Sequence, residues 1–243
     1  MEFVLDTHAH TIVSGHAYNT MNEMIAMAKQ KGLQAISLTE HAPKLPWTTG
    51  VFYFQNLYVV PRERDGIRLF LGAELNILNE LGEVDLEEEV CSKLDIVIAS
   101  IHAPQTCYGE SRGIVKNTEA YINAMKHKFI HIIGHPDDSR YPVDYDTLVA
   151  AAKEHHILLE LNNSSLNPAG YRKGAEENQI KMLELCKKYH VSVSLGSDAH
   201  VDVDLGNFTR VQKVIEACDF PEELVMNTSV QKLEDFIRFR QNL

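Results

Sequence analysis

The histidines carry the chemistry of this sequence, and their spacing says what kind. In Asp6-Thr7-His8-Ala9-His10, side chains 6, 8 and 10 share one face of an extended chain. Two imidazoles at that spacing can hold one divalent metal. The pattern repeats along the chain: His41 follows an apolar run, Glu74 follows Gly72-Ala73, His102 follows Ser100-Ile101, His135 follows Ile133-Gly134, and Asp198 and His200 follow Gly196-Ser197. With His16 in the segment after the first run, seven of the twelve histidines (8, 10, 16, 41, 102, 135 and 200) lie at or just past such ends. Neutral imidazole and carboxylate are ligands that zinc, iron or manganese accept, and their number exceeds one ion's capacity of about four to six. More than one metal is expected.

The elements that must position these groups read as alternating strands and helices. Strands are expected at 3–7, 34–38, 68–75, 95–101, 129–133, 157–161 and 192–195. Between the first two lies a helix, with Thr20 and Glu23 at capping-box spacing and Gly32 as its stop. Further helices are expected at about 118–128, 144–155, 175–189, 208–217 and 230–240, and Glu87-Glu88-Glu89 reads as a solvated first helical turn. Strands joined through helices make parallel sheets, so the class is α/β, a barrel or an open doubly wound sheet. In either, the C-terminal strand ends converge on one face. No linker or low-complexity tract interrupts residues 1–243, which read as one domain.

Composition narrows the partners. The formal net charge of −11 offers no footprint for an extended nucleic-acid backbone or an anionic membrane, and a small polar substrate fits better. No apolar stretch approaches the roughly 20 residues of a membrane span, and the absence of a leader-like start suggests the cytoplasm. Cys91, Cys107, Cys186 and Cys218 form no CxxC pair and read as reduced packing residues. Arg172 and Lys173, after the sixth strand, are candidates for holding an anion, Arg172 by its forked guanidinium. Asn162, Asn163 and Ser164 could orient a ligand or cap a loop. Asp6 reads as a hydrogen-bond acceptor behind the histidine pair, and His131 as a core or supporting residue. His127, His155, His156 and His190 read as surface. Gly109-Glu110-Ser111-Arg112-Gly113 matches GxSxG, but it follows a loop instead of the strand-to-helix turn a nucleophile elbow requires.

The segments DTHAHT (6–11), SGHAYNT (14–20), LTEH (38–41), GAELNI (72–77), ASIHAP (99–104), HIIGHP (131–136), ELNNSS (160–165), RKGAEEN (172–178) and LGSDAH (195–200) resemble, in order, those of the PHP (polymerase and histidinol phosphatase) family, close to its YcdX-type phosphatases. The resemblance implies a distorted (βα)7 barrel and a trinuclear zinc cluster, with manganese or iron as substitutes. It assigns His8, His10, Glu74 and Asp198 to one metal, Glu74, His102 and His135 to a second with Glu74 bridging, and His16, His41 and His200 to the third. Glu40 departs from the aspartate usual there and is not expected to be a ligand. The expected reaction is hydrolysis of a small phosphomonoester by metal-bound hydroxide, with Glu74, Asp198 and Arg172 taking part in catalysis. The alternative is a phosphodiesterase or exonuclease acting on short oligonucleotides. An amide or lactone hydrolase is disfavoured, because His102 stands where such barrels commonly carry a modified lysine. Homo-oligomerisation is left open.

Overall fold

The computed structural model describes residues 1–243. Its centre is a sheet of seven parallel strands in the order β1 (Leu5–Ala9), β2 (Ala35–His41), β4 (Ile67–Asn76), β5 (Ile96–Ser100), β6 (Ile132–Ile133), β7 (Leu158–Asn162) and β8 (Val193–Gly196). The short strand β3 (Glu63–Arg64), which lacks a sequence signal, pairs antiparallel with the start of β4. The sheet closes between β1 and β8: Thr7 Oγ1 donates to the Leu195 carbonyl at 2.9 Å, Asp198 N to the His8 carbonyl at 2.8 Å and His10 N to the Ala199 carbonyl at 2.9 Å. The expected seven-strand barrel is therefore present.

Around it run α1 (Met21–Gln30), α2 (Val51–Asn56), α3 (Glu88–Cys91), α4 (Gly113–Met125), α5 (Tyr145–Glu154), α6 (Ala175–Tyr189), α7 (Thr209–Ala217) and α8 (Val230–Gln241). The Thr20–Glu23 capping box forms as read. Helix α4 begins earlier than expected, at Gly113, and the short α2 and α3 are too brief to build a clear helical period. Glu87 is the cap residue of α3, with Glu88 and Glu89 in its first turn. Strand β6 is only two residues long. Past it, His135 takes a left-handed backbone and Pro136 has no N–H to continue a ladder.

Alternation along the strands divides the barrel. Leu69, Leu71, Val97, Ala99, Leu159, Val193 and Leu195 face the helices in one large core. Leu5, Ala35, Phe70, Ile96, Ile98, Ile132 and Leu158 fill the lower interior, closed below by Leu233 and Ile237 of α8. Following the inward parity upward leads from Phe70 to Glu74, from Ala35 to His41 and from Leu158 to Glu160 and Asn162. One departure matters. The β1–β2 register shifts between Asp6 and Ala9, so Leu5 joins the inner layer and Asp6 lies at the seam with β8, off the histidine face that strict alternation implies. No helix is long and apolar enough to cross a membrane.

Candidate metal centre

At the upper end of the barrel the nine expected ligand residues meet. Glu74 is at the centre: its Oε1 lies 2.8 Å from His135 Nε2 and 3.3 Å from His102 Nε2, and its Oε2 lies 2.7 Å from His41 Nδ1, 3.4 Å from His8 Nε2 and 3.6 Å from His10 Nε2. Asp198 Oδ1 is 3.3 Å from His10 Nε2 and 3.7 Å from His8 Nε2. Three groups bring their donor atoms within 4.8 Å of one another: His8, His10 and Asp198; His41, Glu74 and His102; and His10, His41 and His200. His10 and His41 thus each stand between two groups. His16 joins through His200, with the two Nε2 atoms 3.0 Å apart.

The protons show what these side chains are built for. Ser14 Oγ donates to Glu40 Oε2 at 2.6 Å, so toward His10 Nδ1, 3.1 Å away, it can only accept. His8 Nδ1 donates to Glu160 Oε1 at 2.7 Å, His16 Nδ1 to the Ser14 carbonyl at 3.1 Å, His200 Nδ1 to the Asp198 carbonyl at 3.0 Å, and His102 Nδ1 to Asn76 Oδ1 at 2.7 Å. In each neutral ring the proton is then on Nδ1 and the Nε2 lone pair faces inward. The His8 and His10 Nε2 atoms are 3.0 Å apart, as are those of His16 and His200. Lone pairs at that distance repel unless a proton or a metal cation lies between them. His41 Nδ1 and Glu74 Oε2, buried and 2.7 Å apart, are not aligned for a hydrogen bond and have no other partner. This donor set fits divalent transition metals.

Burial sets the electrostatics. It lowers His10, with nearby His41 and His200 adding to the effect, and it lowers His135 and His16; His41 is pushed down to about 3, against the pull of Glu74. Neutral imidazole, the ligating form, is thereby favoured. Burial opposes charge on Glu74 and Asp198 too, but His102, His8 and His41 around Glu74, and His8 and Arg172 around Asp198, hold both well below the usual carboxylate range. At His8, burial is outweighed by Glu160, Glu74 and Asp198, which favour positive charge there.

The supporting residues come from distant strands. Glu160 is fully buried; besides His8 it accepts from His135 N at 2.8 Å and Asn162 Nδ2 at 3.2 Å through Oε2. A Cβ at Gly196 would meet its Oε1 at 2.0 Å and His8 Cβ at 2.7 Å, so glycine there makes room for the contact. Glu160 was missed as a supporting residue, although an acidic side chain inside the apolar run 157–161 was the available signal. Glu40 accepts from Thr11 N, Thr11 Oγ1 and Ser14 Oγ and holds the segment carrying His10 and His16. Asp6 accepts from His8 N, Ser197 N and Gly206 N, an acceptor as read but spanning the seam.

Arg172 donates from Nη1 to Asp198 Oδ2 at 3.0 Å, Asn162 Oδ1 at 3.1 Å and Ser165 Oγ at 3.1 Å. Lys173 is exposed and outside the cleft that Arg172 lines. Asn162 orients Asp198 and Arg172, whereas Asn163 accepts from Arg210 N and Val211 N at the start of α7. No side-chain hydrogen bond ties Ser164 to the site. His131, just before β6, is buried and accepts from Val97 N; His156 and His190 are exposed, and His127 and His155 partly so. Ser111 is exposed and bonded to Asn117, without a histidine partner. All four cysteines are buried free thiols.

Above the cluster opens a cleft of about 410 Å³, walled on one side by His16, His41, His102, Asp198 and His200 and elsewhere by the loops after β2, β5, β6 and β7. The whole chain can be set beside known proteins. It is 44% identical over 238 residues to a probable phosphatase of Thermoanaerobacter sp. (strain X514), covering 98% of this chain and 96% of that one. It is 40% identical over 243 residues to a probable phosphatase of Clostridium novyi (strain NT), covering 100% and 98%. The fold is similar to that of histidinol phosphate phosphatase from Lactococcus lactis subsp. lactis Il1403, solved with zinc, L-histidinol and phosphate, with a TM-score of 0.63 at 18% identity over 89% of this chain and 94% of that one. A profile of the PHP domain matches residues 6–219, and with full-length relatives at this identity the chain belongs to the PHP domain family.

Proposed function

We propose that the protein is a phosphatase that hydrolyses a small phosphomonoester at a trinuclear zinc centre. The broader statement, a metal-dependent phosphatase, is supported by the full-length relatives carrying that name and by the PHP domain. The observation that carries the reading is the inward convergence of imidazole lone pairs around two ionised carboxylates, with each Nδ1 proton of His8, His10, His16, His102 and His200 already committed elsewhere. His8, His10, Glu74 and Asp198 would hold one ion, Glu74, His102 and His135 a second, and His16, His41 and His200 a third; the sharing of His10 and His41 between groups fits ions in close proximity. When bound, such ions supply Lewis acidity and a nucleophile at neutral pH.

The chain's own part is binding and aim. All three side-chain hydrogen bonds of Arg172 leave from Nη1, so Nε and Nη2 remain to grip phosphate oxygens while Asp198 fixes the guanidinium. Glu160, Asn162 and Ser14 hold the imidazole and carboxylate orientations that a reacting phosphate needs. A small substrate is favoured by the cleft size and by its having only Arg140 and Arg172 as cationic lining, too few for a polynucleotide track. The test compares phosphate release from monoesters with turnover of bis-nitrophenyl phosphate and short RNA and DNA, with zinc added back after chelation and His102→Ala as control. Faster turnover of a diester or an oligonucleotide end, lost in the control, would overturn the monoester assignment. Phosphate released in heavy-oxygen water without the label would exclude attack by water at phosphorus.

A further inference from the structure

Besides the expected ligand residues and two arginines, the cleft has an apolar and aromatic lining. Leu45, Pro46 and Trp47 come from the loop after β2, Ala103 and Pro104 from the loop after β5, and Tyr171 from the loop after β7. In the barrel order β2 and β7 lie on opposite sides, so the two aromatic side chains approach the opening from different directions. Both are open to solvent, Trp47 at 91% and Tyr171 at 63% exposure. Neither belongs to a packed core.

The Trp47 backbone is nevertheless firmly held. It adopts a left-handed conformation, φ 72°, uncommon for a bulky residue. Its carbonyl packs on Gly15, where a Cβ would come within 1.9 Å of the oxygen, and the next residue, Thr48, donates from Oγ1 to the His41 carbonyl at 2.7 Å. The loop is therefore tied to the segments that carry His16 and His41, and it presents an indole at the cleft with its backbone already fixed. Tyr171 is likewise stacked by two guanidiniums, with Arg140 Cζ 4.9 Å and Arg172 Cζ 5.4 Å from its ring.

Charge limits what can sit there. The one carboxylate lining the cleft is Asp198, engaged by Arg172 and His10. Neighbouring Asp138 is taken by Arg140 through Nε and Nη2. No lining carboxylate is left free to pair with a leaving group, so the aromatic faces are the surfaces that remain for it. Resting on the phosphomonoesterase reading, we propose that the leaving alcohol carries a planar aromatic or heteroaromatic ring, and that this ring stacks on Trp47 as the specificity-determining contact.

Trp47 is the single tryptophan of the chain, so indole emission, excited beyond tyrosine absorption, reports on the surroundings of this side chain. Titration of the protein with benzylphosphonate should give a saturable blue shift or quench, in the presence or absence of added zinc, and methylphosphonate should give none. In turnover, primary-alcohol esters with a ring (benzyl phosphate, a nucleoside 5′-monophosphate) should exceed both glycerol phosphate and phosphoethanolamine in kcat/KM by at least ~10-fold. Trp47→Ala should collapse that ratio, mainly through KM, and Trp47→Phe should keep most of it. No emission change with benzylphosphonate, glycerol phosphate or a sugar phosphate turned over best, or a Trp47→Ala loss equal for every ester would overturn the inference and leave the phosphatase reading standing. If no monoester releases phosphate, the phosphatase reading itself falls and takes the inference with it.

Discussion

Replacing Glu160 by glutamine changes one atom type and tests how the centre is aimed. The carboxylate accepts from three donors: His8 Nδ1 at 2.7 Å on Oε1, and His135 N at 2.8 Å and Asn162 Nδ2 at 3.2 Å on Oε2. An amide offers one oxygen. Facing that oxygen to His8 turns the NH2 group toward two other donors, and each buried donor left without an acceptor costs about 1–3 kcal/mol. Flipping the amide instead makes His8 Nδ1 an acceptor, which moves the ring proton to Nε2, where the lone pair is required. Either arrangement also loses a negative charge beside His8. The unpaired donors lower stability with or without metal, whereas zinc affinity falls through the misplaced ring proton and the lost charge, by ~10- to 100-fold, the range typical of residues that orient metal ligands. Zinc affinity measured by competition with a chromophoric chelator, together with kcat/KM on a phosphomonoester, reads it out. If Glu160→Gln changed both by less than ~3-fold, the tautomer argument would be wrong.

Removing Glu74, whose Oε1 faces His102 and His135 and whose Oε2 faces His8 and His41, should cost more metal than removing a ligand of one ion: elemental analysis is expected to find less zinc in Glu74→Ala than in His102→Ala, and the reverse order would refute bridging. Arg172→Lys should lower kcat/KM for a phosphomonoester by ~10-fold or more, because an ammonium cannot hold Asp198, Asn162 and Ser165 from one nitrogen while offering two others to phosphate; steady-state kinetics showing near wild-type values would remove Arg172 from phosphate binding. Burial, aided by Arg240, pushes His131 down to about 3. The unfolded chain binds its proton near 6.5, so between those values the unfolded state holds more protons. Stability present above pH 6.5 is therefore lost as pH falls, by up to about 1.4 kcal/mol per pH unit. Denaturant melts of zinc-free protein at pH 7 and pH 5 should show a shallower fall in His131→Gln than in the parent, and parallel falls would show that His131 does not titrate on unfolding.

What could be read from the chain was whatever is local. The helix expected at 175–189 is Ala175–Tyr189, and every strand-end histidine expected to converge does converge, because an apolar run followed by a ligand type needs only the period of a strand and the common polarity of parallel strands. The parts that escaped are set by ring closure. Glu160 meets His8 across 152 residues of sequence, and Asp6 reaches Ser197 across 191. The register shift that moves Asp6 off the histidine face has no local signature, since Leu5-Asp6-Thr7 reads equally well in either register. Trp47 and Arg140 sit in loops whose approach to the cleft depends on which strands neighbour in the closed barrel. Of the Arg172-Lys173 pair, only Arg172 reached the site, because the chain turns between them into the start of α6 and aims Lys173 outward.

The same hydrogen bonds that close the barrel also aim its ligands. His135 and Asp198 have left-handed backbones, φ 32° and 55°, which cost a residue other than glycine about 1–3 kcal/mol. Each is held there by a bond from a different strand: His135 N donates to Glu160 of β7, and Asp198 N donates to the His8 carbonyl of β1. Glu160 in turn fixes His8, and His8 lies on the strand that receives Asp198. Relaxing either backbone would break a contact in the adjoining strand and turn a second ligand away. The strain is thus retained because the closed ring over-determines it, and the geometry of the centre follows from the seam between β1 and β8 more than from any single loop.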